Sequence, residues 1–201
     1  MAKTKIAVLV SGGGTNLQAL MDAQGSVLNS GEIVLVVSNA SGAYALERAK
    51  KAGIATETVL KKECGSQAAF EEKLKQVLAD YGIEVIILAG FMTILTENFT
   101  SCYPKRILNV HPSLIPSFCG EGFYGLKVHE EALKYGVKVT GATVHFVNEI
   151  PDGGEIIAQK AVYIEESDTP EILQRRVMEQ AEWILLPQAA EKVCANLQKT
   201  T

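Results

Sequence analysis

The sequence predicts an α/β fold: a doubly wound, mostly parallel sheet with an antiparallel edge and a C-terminal helix. Three observations predict it. Short, uninterrupted apolar runs recur along the chain, as in strands buried on both faces. Amphipathic segments of helical period separate them, the signature of a parallel sheet with helices on both sides. In the last third, two longer strand-like segments are joined by a turn-rich stretch, which suits an antiparallel pair.

The elements follow in order. Ile6-Ala7-Val8-Leu9-Val10 reads as the first buried strand, Thr15 to Ala23 as a helix, and Ile33 to Val37 as the second strand. Ala43 to Ala52 looks helical, with Gly53 as its C-terminal stop. A short strand fits Thr56 to Leu60. Gln67 to Tyr81 is a long helix with Phe70, Leu74, Val77 and Leu78 on one face, closed by Gly82. Val85 to Ala89 and Arg106 to His111 are further strands. Lys127 to Lys134 is a polar-rich helix. Val139 to Val147 and Ile156 to Ile164 form the expected edge pair around the turn-rich Asn148 to Gly154. Thr169 to Leu197 is largely helical, with an interruption expected at Pro187.

The chain has 201 residues, 47% of them hydrophobic and 21% charged, which suffices for one domain with a substantial core. No internal repeat or linker stands out, so a single domain over 1–201 is expected. A formal charge of -4 and a pI near 5.5 argue against a broad nucleic-acid footprint. No 18-residue apolar stretch exists, so no membrane span is expected. No apolar signal region follows the N-terminus, and a cytoplasmic location is expected. Cys64, Cys102, Cys119 and Cys194 are scattered without a C-x-x-C pair, as in reduced thiols rather than a zinc cluster or disulfide framework. Cys119 lies close to the Asn/His segment and is a candidate nucleophile, but nothing nearby marks a stabilised thiolate.

Three segments carry chemistry. Ser11-Gly12-Gly13-Gly14-Thr15-Asn16 joins the first strand to the first helix. Glycines there let a ligand approach the backbone, and a helix N-terminus favours an anion, most often phosphate. The alternative is a tight turn in which Thr15 or Asn16 caps the helix. A Walker loop would need lysine, and a dinucleotide fingerprint would need glycine where Leu17 stands. A phosphate monoester is the better match.

The second segment is Asn109-Val110-His111-Pro112-Ser113-Leu114-Ile115-Pro116. Strand alternation aims Asn109 and His111 at one spot, a neutral donor beside a proton carrier. A carbonyl carbon passing through a tetrahedral oxyanion needs such a pair. The third is Pro151-Asp152-Gly153-Gly154, which is turn chemistry on its own. With His111 in view, Asp152 becomes a carboxylate that would favour the imidazolium. His129 reads as a surface residue and His145 as a structural polar residue facing the same way as Thr143. A metal site from His111, His145 and Asp152 is disfavoured, because no tight ligand spacing occurs; no metal is expected.

These motifs, with Leu88-Ala89-Gly90-Phe91-Met92-Thr93-Ile94-Leu95 and Gly141-Ala142-Thr143-Val144-His145-Phe146-Val147, occur in one order along the chain. Together they resemble the phosphoribosylglycinamide formyltransferases, folate-dependent enzymes of purine synthesis with a Rossmann-like formyltransferase fold. The resemblance covers essentially the whole chain. It implies a phosphate-binding half at about 1–100 and a folate-binding and catalytic half at about 101–201. It implies formyl transfer from 10-formyltetrahydrofolate, the co-substrate, to the amine of glycinamide ribonucleotide. Gly14, Thr15 and Asn16 would hold the phosphate. Met92, Thr93, Ile94 and Leu95, with Asn109 and the stretch Asn148, Glu149, Ile150, Pro151 and Asp152, would hold the folate. Asn109 would bind the oxyanion, His111 would protonate the departing nitrogen, and Asp152 would keep His111 charged. Glu182 would lie near the glycinamide, with Thr143 in support.

Departures from the family pattern are Thr93 and Gln67, where a basic contact to the folate tail is usual, a longer 117–125 segment, and Trp183 in place of histidine. The partners implied are small molecules, with no nucleic acid or membrane, and a monomer or weak homodimer. Rival readings are another 10-formylfolate-using formyltransferase or hydrolase, a non-catalytic nucleotide-binding module, and a dinucleotide-dependent reductase.

Overall fold

The computed structural model describes residues 2–200. In chain order the elements are β1 (Thr4–Val10), α1 (Thr15–Ala23), β2 (Gly31–Ser38), α2 (Tyr44–Lys51), β3 (Ala55–Thr58), α3 (Lys61–Cys64), α4 (Gln67–Asp80) and β4 (Val85–Leu88). They continue with α5 (Glu97–Thr100), β5 (Ile107–His111), α6 (Leu126–Tyr135), β6 (Val139–Phe146), β7 (Ile156–Tyr163), α7 (Pro170–Val177), a π-helical segment (Met178–Glu182) and α8 (Trp183–Thr200). The strands form one seven-stranded sheet in the order β3-β2-β1-β4-β5-β6-β7. The first five are parallel, and β6 runs antiparallel to both β5 and β7.

The apolar runs explain the two layers. Along β1, Ile6, Val8 and Val10 point to one side and Ala7 and Leu9 to the other. The first side packs against α1, α2 and α8 through Leu17, Leu20, Ala45, Leu186 and Ala190; the second packs against Phe70, Leu74 and Leu78 of α4. A strand covered on both faces has no polar side to alternate with, so its sequence is continuously apolar. Among the described residues no helix is long and apolar enough to cross a membrane.

Two expectations about the helices need correction. The break in the C-terminal helix falls at the π-helical segment Met178–Glu182, and Pro187 lies inside α8. A proline ring collides with the carbonyl four residues before it. For Pro187 that residue is Trp183, the first after the π segment, so the break occurs one turn upstream of the proline. His129 is the second correction: it is fully buried on α6 beside Val128 and Ala132.

Topology also places the site. β1 has β2 on one side and β4 on the other, so the connections diverge between β1 and β4. Ligands bind in the crevice this creates beyond the strand C-termini. Ser11 and Pro112 follow β1 and β5 directly, and Gly90 follows β4 after Ala89. Gly14, before α1, has φ +74, and an added Cβ would lie 2.6 Å from Ala45 Cβ and 2.9 Å from Ala45 Cα. Gly14→Ala is therefore expected to cost about 1–3 kcal/mol in urea unfolding; unchanged stability would contradict this packing.

Candidate active site

β5 carries the central pair. Asn109 and His111 are two apart in an extended strand and share a face, and each meets a set partner on antiparallel β6: Asn109 opposite His145, His111 opposite Thr143. This pairing brings His145 into the site, where reading β6 alone made it a structural polar residue. The Asn109 amide donates to His145 Nε2 at 3.2 Å, while His145 Nδ1 donates to the Phe146 carbonyl at 2.8 Å. One ring thus has its proton fixed on Nδ1 and its other nitrogen turned to Asn109. Thr143 shapes the chain beyond β5: its hydroxyl donates to the Ser113 carbonyl (2.7 Å) and accepts from Ile115 N–H (3.1 Å) and Gln159 Nε2 (3.0 Å).

Asp152 completes the group from the β6–β7 turn. Its backbone is left-handed (φ 56), and the turn closes by a Gly153 N–H to Ile150 carbonyl bond of 3.0 Å. Gly154 follows because any side chain there would run into the Phe146 carbonyl. The carboxylate is 13% exposed and lies 3.4 Å from His111 Nδ1 and 3.5 Å from His145 Nε2. It accepts from Gly120 N–H at 2.8 Å and, at the longer 3.5 Å, from the Asn109 amide. Burial pushes the Asp152 pKa up, but the histidines and the Gly120 N–H outweigh it and hold the carboxyl below its usual range.

His111 has an acceptor at each nitrogen. Nε2 donates to the Phe118 carbonyl at 2.8 Å, and Nδ1 faces Asp152. The cationic ring is the one form in which both nitrogens donate. Against this, the side chain is only 6% exposed, and burial disfavours charge. Burial prevails: the His111 pKa lies below the ordinary histidine value, although Asp152 and Phe118 pull it up. The expectation that Asp152 would keep the ring charged is corrected here by desolvation, which the sequence does not reveal.

Glu182 is a second acid buried at the site. The π-helical segment places it at 6% exposure, where it accepts a 2.8 Å bond from Asn16 Nδ2. Burial pushes its pKa up to about 7, opposed by that bond. The first turn of α1 and the C-terminal helices are thus joined at the site. A π-bulge in a helix often marks a functional position.

A cleft of about 580 Å³ gathers these groups. Asn16, Met92, Thr93, Ile94, Leu95, Asn109, His111, Asn148, Ile150, Pro151, Asp152 and Glu182 line it, together with residues 120–125, Gln174 and Met178. Gly14, Thr15, Thr143 and Glu149 do not; Glu149 lines a separate cleft with Lys105 and Glu155. Gln174 and Met178 carried no signal in the sequence, because only folded α7 and the π-helical segment bring them to the cleft; Phe123 and Tyr124 belong to the longer 117–125 segment, whose length alone does not show that it reaches the cleft. A second cleft of about 670 Å³, lined by Gly12, Gly13, Ser41, Tyr44 and Lys61, opens across the glycine turn and touches none of the catalytic candidates. Cys119 is no activated nucleophile: burial and the Asp152 charge raise its pKa. Among the described residues no three His, Cys, Asp or Glu side chains are grouped to hold a metal ion.

His129 lies close enough to His111 to feel its charge, and burial pushes its pKa down to about 4. A base with a depressed folded pKa stabilises the fold above its unfolded pKa of about 6.5, and that contribution is lost as pH falls toward 4. Replacing His129 by leucine is expected to remove on the order of 3 kcal/mol of pH dependence between those limits. Urea unfolding of both proteins at pH 7 and pH 4.5 measures it; identical pH dependence would contradict a buried neutral ring.

Comparison with known proteins places this geometry. The family described as formyl transferase matches residues 4–189. The phosphoribosylglycinamide formyltransferase of Escherichia coli K12 is 41% identical over 175 residues, which is 87% of this chain and 80% of that protein. The trifunctional purine biosynthetic protein adenosine-3 of Gallus gallus is 45% identical over 96% of this chain, which spans only 19% of that protein. The crystal structure of glycinamide ribonucleotide transformylase 1 from Symbiobacterium toebii superposes with a TM-score of 0.90 at 39% identity, covering 96% of this chain and 89% of that one.

Proposed function

The chain belongs to the formyl transferase family, and from that premise we propose that it transfers the formyl group of 10-formyltetrahydrofolate to the amine of glycinamide ribonucleotide, as one step of purine synthesis. The observation that carries this reading is the convergence of Asn109, His111 and Asp152 with Glu182 and Asn16 in one cleft. The relatives named for this activity match over most of the chain. In this reading the chain is one formyltransferase domain, with the phosphate-binding turn in its first half and the catalytic residues in its second.

The chemistry is acyl transfer without a protein nucleophile. The substrate amine attacks the formyl carbon, and the formyl oxygen becomes an oxyanion. Asn109 offers its amide hydrogens to that oxygen; His145 Nε2 accepts one of them and orients the group. The tetrahedral species collapses by losing the folate nitrogen, which needs a proton. His111 gives it from Nε2, exchanging the Phe118 carbonyl for the departing nitrogen. Burial makes the charged ring a stronger acid, and Asp152 supplies the counter-charge while the proton is held. The proton released by the attacking amine leaves through water at Asp152.

Substrate positions follow from the same residues. The N-terminus of α1 at Gly14, Thr15 and Asn16 receives the phosphate. Glu182, tied to Asn16, faces the sugar or glycinamide with an acid that exchanges protons near neutrality. Met92, Ile94, Leu95 and the Asn148–Asp152 turn enclose the folate. No metal takes part.

A transfer assay with glycinamide ribonucleotide and 10-formyltetrahydrofolate, followed by release of tetrahydrofolate, tests the proposal. Turnover is expected, with Asn109→Ala and His111→Ala each lowering kcat on the order of 100-fold or more. The effects should not multiply in the double variant, since both serve one tetrahedral species. Folded protein without turnover, or His111→Ala with undiminished turnover, would overturn the reading; the latter would favour a nucleotide-binding module.

A further inference from the structure

The Met92–Leu95 wall of the cleft has a peculiarity that the catalytic reading does not use. Residues 89–96, between β4 and α5, have no regular hydrogen-bonded structure. Yet Met92 and Ile94 are presented to the cleft with 57% and 60% of their surfaces exposed. Irregular chain holds apolar side chains outward only where other elements tie it down. Here the ties are polar and reach Met92, Thr93, Ile94 and Thr96. Met92 N–H donates to Ser11 Oγ at 2.8 Å, Asn39 Nδ2 to Thr93 Oγ1 at 2.8 Å, and Gln67 Nε2 to the Ile94 carbonyl at 3.1 Å. Thr96 is held twice: its N–H and its hydroxyl donate to the two oxygens of Glu71, at 2.8 and 2.6 Å.

Glu71 is the hub of the last two ties. It lies on the inner face of α4 beside Phe70 and Leu74, 3% exposed, and also accepts from Gln67 Nε2 at 2.6 Å. A carboxylate buried at such a place is costly unless every oxygen is bonded, and an apolar side chain would serve packing there equally well. Only the carboxylate fixes Thr96 at two atoms and, through Gln67, the Ile94 carbonyl. The bonds from Thr96 and Gln67 outweigh burial and keep its pKa below the usual carboxylate value, so it is ionised at neutral pH. Gln67 and Thr93 stand where the family often has basic contacts to the folate tail; both are committed here to holding the wall.

We propose that Glu71 is a positioning residue for the formyl donor, fixing the Met92–Thr96 wall through Thr96 and Gln67 without touching either substrate. The proposal rests on the reading that this wall holds the folate. Its test is steady-state kinetics of Glu71→Leu, which keeps the volume and suits the apolar neighbours, and of Glu71→Gln, which keeps an acceptor for Thr96 N–H and a donor for its hydroxyl. In Glu71→Leu the KM for 10-formyltetrahydrofolate should rise about tenfold or more, with the KM for glycinamide ribonucleotide within about twofold of the parent. Glu71→Gln should restore most of the loss. Should Glu71→Leu not fold, Thr96→Val removes one of the two Thr96 bonds and should raise the folate KM alone. A folate KM that does not move, or one that moves together with the other KM, overturns the positioning role while leaving the proposed function standing. Parent enzyme without turnover overturns the proposed function itself, and this role with it.

Discussion

The site depends on one buried carboxylate. Asp152 sits among two imidazoles, an amide and a backbone N–H, and it is the only anion within reach of His111 Nδ1 among the described residues. Taking a charge out of water is expensive unless it is bonded on every side. Around Asp152 the Gly120 N–H, the Asn109 amide and His111 Nδ1 supply those contacts, and in doing so they determine where each partner stands. Gly120 N–H brings the 117–125 segment over the cleft. His111 turns Nδ1 inward, so Nε2 faces outward to Phe118. His145 turns Nε2 inward and supports Asn109. The same bonds that satisfy the carboxylate aim the oxyanion donor and the proton carrier.

The fold serves this arrangement through one change of strand direction. Because β6 is antiparallel, His145 and Thr143 face Asn109 and His111 in register; the β6–β7 turn leaves β6 beside Ile107 at the start of β5 and folds back so that Asp152 reaches His111 and His145. The parallel half contributes the glycine turn and the Met92–Leu95 wall from the C-terminal ends of β1 and β4. Glu182 arrives by a different device: the π-helical segment rotates it into the cleft before α8 resumes.

Much of this was legible in the residues. Continuous apolar runs such as Val85-Ile86-Ile87-Leu88 mark strands covered on both faces, and strand period alone puts Asn109 and His111 together. The Thr143–His145 face of β6 was also legible, but not what it faces, since that depends on the pairing register. His129 was misplaced because a helix that is polar in composition can still turn one histidine inward, and composition does not give the angle at which a helix packs. Pro187 announced a break correctly but not its site, since a proline constrains the turn before it. The charge state of His111 was the least legible feature. A nearby carboxylate and a buried environment act in opposite directions, and only burial, a property of the whole fold, decides between them.

The central claim is that Asp152 is the counter-charge that lets a buried His111 hold a proton. The most direct measurement is an NMR titration of the His111 ring nitrogens in the parent protein and in Asp152→Asn. The His111 pKa is expected to lie below 6.5 in the parent and to fall further in the variant, with the neutral ring protonated at Nε2 in both. A His111 pKa that stays the same or rises when the Asp152 charge is removed would contradict the account.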